Sequence, residues 1–269
     1  MLKQSRNQEV FVWWLQIAQI SLFAPLAIFL FASDNIVYPG WWFVVGTSLI
    51  HMLYFVFLSR SYKYGDLSLV YPLARGTGPA LAPILGIALL GEEVTLLAAL
   101  GIITVVVGIF ASYWWDKGLD IARNPMRLLK DPGTRYALLT GLTIASYTVW
   151  DKMGVQYVNP LLYMYLLAAG TVSGLAPYMV SKHGTRAMKE ELRMNLFPII
   201  GSGILAFFAY AAVLSALQVS NVSYVSPSRE VGIVFSVLLG ALILKEPVTT
   251  GRVAGSAAIV FGVFLIALG

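Results

Sequence analysis

The chain has 269 residues, 58% of them hydrophobic and only 12% charged, with a mean hydropathy of +0.78. Soluble domains carry about twice that charge fraction, so this composition excludes an ordinary soluble protein and specifies an all-α integral membrane protein. The net charge of +5 does not mark a nucleic-acid-binding face, because the basic residues lie in short segments between apolar runs. There is no cysteine, which removes disulfides, thiolate nucleophiles and thiolate metal sites.

A membrane-crossing helix needs roughly 20 apolar residues. Nine segments meet that measure in chain order: 9–32, 40–59, 67–90, 94–115, 135–153, 159–181, 196–217, 222–244 and 248–268. The two longer connections, 116–134 and 182–195, are rich in charge and read as linkers. Trp13, Trp14, Trp41, Trp42, Trp114 and Trp115 fall near span ends, where indole rings favour the headgroup level.

The third span is unusual. It carries Pro72, Arg75, Gly76, Gly78 and Pro79 within apolar sequence. An arginine at membrane depth costs about 2.5–3.5 kcal/mol even on insertion scales, so it marks a pathway or a partner. A shift of 155 residues reproduces the stretch, matching Asp66, Ser68 and Pro72 with Asn221, Ser223 and Pro227. With a shift of 154, Glu92, Thr95, Gly101, Gly108 and Phe110 match Glu246, Thr249, Gly255, Gly262 and Phe264. Earlier, Ser21, Ala24 and Pro25 match Ser173, Ala176 and Pro177. The chain is therefore duplicated, with a first repeat over 1–115, a linker over 116–133 and a second repeat over 134–269.

The second repeat holds five spans and the first only four. The partner of 135–153 is absent, and Lys3 is the counterpart of Lys152 at its end. An apolar segment upstream of Met1 is the expected explanation. Of the 18 basic residues, 15 fall in alternate connections beginning with the N-terminal tail, and only Lys152 falls in the opposite set. The positive-inside rule then puts the basic set in the cytoplasm and Gly269 outside. An odd number of spans per repeat inverts the two halves. Inverted repeats with broken helices in corresponding positions are the architecture of secondary transporters.

Ser68 to Pro72, Gly91-Glu92, Gly101 and Gly108, with Ser223 to Pro227, Glu246 and Gly255 to Gly262, resemble the repeats of EamA-type transporters in the drug/metabolite transporter superfamily. The resemblance covers essentially the whole chain. It implies two five-helix inverted repeats, a central substrate cavity and alternating access, with the first helix missing here. Some ten-span relatives keep both termini cytoplasmic, which differs from the orientation that the charges favour.

The residues expected to contact substrate are Tyr71, Pro72, Arg75, Gly78, Pro227, Arg229 and Glu230. Tyr71, Arg75 and Gly78 share a helical face. The shift of 155 sets Glu230 opposite Arg75, so an intramembrane ion pair is expected. The two arginines suit a carboxylate or phosphate. Glu230 suits a coupling proton or an amino group, and a closed network that only locks the halves together is the structural alternative. His51 reads as a proton relay or as a residue held by one interhelical hydrogen bond. Asp151 and Lys152 read as a gate or as an interfacial pair. Glu92 and Glu246 read as caps or neutralising charges, and the heptad-spaced glycines as close helix contacts, within the monomer or between protomers.

The expected function is secondary transport, as an exporter, of a small polar or anionic organic metabolite. A flippase of a lipid-linked headgroup and a non-transporting accessory protein are the alternatives. No nucleophile–base arrangement or metal-ligand spacing points to an enzyme. No cofactor, metal or nucleic acid is expected. The expected partners are the substrate, membrane lipid and, for a homodimer, a second copy, in a multi-pass protein of a bacterial inner membrane.

Overall fold

The computed structural model describes residues 7–33, 36–115, 130–243, 245 and 249–269, with the backbone alone at 67 and 68. The described residues are helical throughout: α1 (Gln8–Ser33), α2 (Gly40–Tyr64), α3 (Leu67–Leu90), α4 (Leu96–Trp114), α5 (Pro132–Gly154), α6 (Pro160–Val219), α7 (Val222–Ser228), α8 (Val231–Leu242) and α9 (Thr250–Leu268). Among the described residues, seven helical segments are long and apolar enough to cross a membrane, one of them running through α7 and α8. Helices suit that setting because every backbone polar group is satisfied within the segment. α5 is not among the seven. Thr134, Thr140, Thr143, Ser146 and Thr148 dilute its apolar character, and most of its residues between Gly133 and Gly154 are buried or half-buried. A helix enclosed by protein needs no continuous lipid-facing surface.

Two expectations are corrected. The segment 182–195 is not a loop but largely helical, set off from the helical stretches on either side of it within 160–219 by non-helical backbone at Gly184 (φ 73°) and Asn195 (φ −121°). It is helical because it is amphipathic: Met188 and Glu191 are buried while Arg186 and Glu190 face outward. The third span is also continuous. α3 runs unbroken through Pro72, Pro79 and Pro83, whereas its echo is interrupted between α7 and α8 at Arg229 and Glu230. There the backbone tightens: Glu230 N–H donates to the Pro227 carbonyl (3.0 Å), Gly232 to Arg229 (3.2 Å) and Ile233 to Glu230 (2.9 Å). Three-residue bonds of this kind narrow the helix at the two charged residues. The linker 116–133 lies largely outside the described residues, as do Lys3, Glu246 and the side chain of Ser68.

The chain divides into two compact units. The first contains residues 1–52 and 150–219. Its core is α1 on α6, where Phe23 stacks on Phe207 (centroids 3.8 Å apart). Trp14 Nε1 donates to the Met188 carbonyl (2.9 Å). At the start of α1, Glu9 meets Lys182 at 2.7 Å and His183 at 2.8 Å. The charge-rich segment is thus pinned to the N-terminal turn of α1, where Glu9 also complements the helix dipole.

The second unit contains residues 53–149 and 220–269. Its core is α4 against α9, around buried Val105, Ile109, Ile233, Ile259 and Ile266. The heptad glycines make this packing. A β-carbon on Gly101 would lie 2.6 Å from the Gly262 carbonyl oxygen, and one on Gly108 would lie 2.8 Å from that of Gly255. The glycines therefore act inside the monomer, bringing backbones together as small residues do in membranes. Gly262→Ala is expected to lose about 1–3 kcal/mol, the usual cost of overpacking, because a β-carbon there would meet the Gly101 carbonyl at 2.7 Å. Thermal unfolding in detergent measures it, with the exposed Val253→Ala as control (Val253 is 56% exposed).

Candidate functional site

In the second unit, α3 and the α7–α8 break bring opposite charges together. Arg75 Nη2 lies 3.3 Å from Glu230 Oε2, the approach that the repeat register anticipates. Arg75 sits eight residues into α3, about 12 Å along the axis at 1.5 Å per residue, too deep in a core about 30 Å thick to reach water easily along its own stem. The Glu230 side chain is only 4% exposed, but that of Arg75 is 36% exposed. The guanidinium therefore borders open space. Its Nε is buried without a hydrogen-bond partner, leaving a donor of a fork-shaped group unsatisfied.

Tyrosines surround the pair. Tyr71, Tyr54 and Tyr147 lie within electrostatic reach of Arg75, and Tyr54 is also within reach of Arg229. Tyr71 packs edge-on against Tyr113, centroids 5.5 Å apart. Tyr54 packs edge-on against Tyr147 at 6.0 Å. The structure thus unites Tyr71, Arg75, Arg229 and Glu230. Two guanidiniums and one carboxylate sum to a formal +1, lined by phenolic groups that donate or accept. Other expected contact residues have packing roles: Gly78 is filled against by Ile144 of α5, Pro72 is buried, and buried Pro227 lies at the helix break. Tyr54 and Tyr113 are additions, since nothing in their spacing separates them from the chain's twelve other tyrosines.

Glu92 holds the broken helix in place. Gly91 closes α3 in the left-handed conformation (φ 66°), which glycine adopts without steric cost, and the turn delivers Glu92 to the start of α7. Val222 N–H donates to Oε1 (2.6 Å), and Ser223 donates to Oε2 from both its N–H (2.9 Å) and its hydroxyl (2.5 Å). This caps two backbone donors that have no helical partner and sets a negative charge at a helix N-terminus. The cap lies about two turns from Glu230.

The other expected charges belong to the first unit. Asp151 is enclosed by protein: it is 0% exposed, accepting from Tyr163 (2.9 Å) and Tyr210 (2.6 Å). Hydropathy places it at a span end, but α6 covers it with two tyrosines. Lys152 Nζ donates to the Leu217 carbonyl (2.7 Å), near the end of α6. His51 Nδ1 donates within its own helix to the Thr47 carbonyl (2.9 Å), and Trp150 covers Gly46, with Nε1 donating to the Phe43 carbonyl (2.9 Å).

A family model described as the EamA-like transporter family matches residues 3–114 and again 132–268. The chain belongs to the EamA-like transporter family. Its members are membrane transporters rather than enzymes, and the apolar helices make this one a multi-pass membrane protein. No curated protein matches the chain. One solved structure, titled only as the crystal structure of a protein, matches this EamA-like chain with a TM-score of 0.71 and 16% identity, covering 95% of this chain and 88% of the other. That likeness concerns the fold alone.

Proposed function

We propose that this EamA-like protein is a secondary transporter that exports a small anionic organic metabolite by alternating access, from a bacterial inner membrane. The observation that carries the anionic class is the positive surplus at Arg75, Arg229 and Glu230. Arg75, with a vacant donor and an accessible guanidinium, takes the carboxylate or phosphate of the substrate. Glu230 is then the exchangeable counter-ion, occupying Arg75 when substrate is absent and free to meet an amino group or proton when it is present. Arg229 adds charge, and Tyr71 and Tyr54 give hydroxyl contacts.

Nine crossings in two inverted repeats fit this reading. The close contact of Gly101 with Gly262 becomes that of Gly255 with Gly108 when each residue is replaced by its repeat counterpart, and both contacts occur. An exchange of that kind is what a pseudo-twofold axis between repeats produces. Metabolite profiles of medium and cytosol, compared between cells with and without the gene, test the function. An anionic metabolite depleted inside and enriched outside only when the protein is present is expected. Identical profiles would refute export.

A further inference from the structure

The first unit buries a titratable group that anion binding does not use. We propose that Asp151 is a proton-accepting carboxylate, with His51 as its relay, and that its protonation is coupled to the transport cycle. The coupling rests on the transporter reading above, whereas proton binding does not.

Groups on three helices face the carboxylate. On α6, the Tyr163 hydroxyl donates to Oδ1 at 2.9 Å and the Tyr210 hydroxyl to Oδ2 at 2.6 Å. On α2, the Thr47 hydroxyl lies 3.1 Å from His51 Nδ1, and both residues lie within reach of the carboxylate. The His51 ring packs edge-on against Tyr210, centroids 5.9 Å apart. On α5 itself the adjacent Lys152 directs its ammonium to the Leu217 carbonyl. Hydroxyls are the hydrogen-bonding contacts here, and they stabilise a carboxylate without neutralising it. A buried carboxylate keeps a large desolvation cost, which binding one proton removes.

Two details make the site able to change state. Tyr163 has one hydroxyl proton and two acceptors, Asp151 Oδ1 at 2.9 Å and the Phe43 carbonyl at 3.2 Å. With Asp151 ionised, that proton points to the carboxylate. When a proton from water adds to Oδ1, the new carboxyl O–H donates to Tyr163, and the Tyr163 hydroxyl turns to Phe43. One proton is gained, the site changes from −1 to neutral, and a hydrogen bond moves from α5 to α2. His51, within electrostatic reach of the carboxylate, is the proposed carrier of the proton. Its Nδ1–H donates to the Thr47 carbonyl, which assigns the relay role in this proposal to Nε2.

The test is pH-difference infrared spectroscopy on the purified full chain. In wild type, one protonated-carboxyl carbonyl band is expected to rise as pH is lowered. It is expected to vanish in Asp151→Asn and persist in Glu230→Gln. A band that survives Asp151→Asn, or no band in wild type, overturns the proposal. Tyr163→Phe keeps it falsifiable if Asp151→Asn fails to fold. Losing a donor to the ionised form raises proton affinity about tenfold, moving the midpoint up about one pH unit, and an unmoved midpoint contradicts the switch. Coupling is read separately, from metabolite export into medium of varied pH. If Asp151 titrates but export by Asp151→Asn keeps the wild-type pH dependence, coupling fails and transport stands. If wild type exports nothing, the transporter reading fails, and the infrared result still decides the proton site.

Discussion

Arg75→Ala is expected to lose about 3 kcal/mol of stability and all transport. Removing one partner of a buried ion pair costs about 3–5 kcal/mol, because the other charge is left uncompensated. The low end applies because Arg75 is 36% exposed and so partly screened. Glu230, 4% exposed, is the charge stranded. The double variant Arg75→Ala/Glu230→Gln is therefore expected to regain most of that stability, since no unpaired carboxylate remains. Unfolding in detergent measures the cycle. If the pair only locks the fold, the folded double variant transports normally. If Arg75 binds substrate, stability returns and transport does not.

Glu92→Ala is the second large effect. The carboxylate accepts three hydrogen bonds, two of them from backbone donors at the start of α7. Hydrogen bonds to charged groups contribute about 1.5–3 kcal/mol each, and losing a cap costs about 0.5–2 kcal/mol. Water reaching this half-buried turn restores part of that. A net loss of about 2–3 kcal/mol is expected. Glu92→Gln keeps the size and one acceptor oxygen, and is expected to lose about half as much. The same unfolding measurement ranks them, and equal losses in both variants would show that charge at the cap is irrelevant. Because α7 ends where Glu230 begins, both variants are also expected to weaken transport.

Much of this was legible one-dimensionally because duplication converts sequence distance into spatial correspondence. A shift of 155 places Glu230 opposite Arg75, and the side chains meet. Glycines at heptad spacing in two matching helices announce backbone contact, and α4 and α9 make it. The helix break was legible only in part. Pro72 and Pro227 have the same local chemistry, yet α3 stays continuous while the echo tightens at Arg229 and Glu230. Proline removes one donor and permits a bend, but the packing around the helix decides whether a bend becomes a break. The charge density of 182–195 suggests a loop, whereas Met188 and Glu191 follow a helical period and bury one face.

Asp151 shows where such reading stops. Hydropathy gives depth along a span but not what stands beside it. The tyrosines that reach Asp151 are 12 and 59 residues away in sequence. The ring of tyrosines around Arg75 is hidden for the same reason, because Tyr54, Tyr71, Tyr113 and Tyr147 lie on four different helices.

The role of Arg75 is the centre of the account. Its most direct test is the metabolite profile of medium from cells producing equal amounts of folded wild type, Arg75→Ala and Arg75→Lys. Wild type is expected to enrich an anionic metabolite, Arg75→Ala to give the profile of cells without the protein, and Arg75→Lys to retain partial export, as a single charge without the guanidinium fork should. Undiminished export by folded Arg75→Ala would contradict the assignment of Arg75 to the substrate.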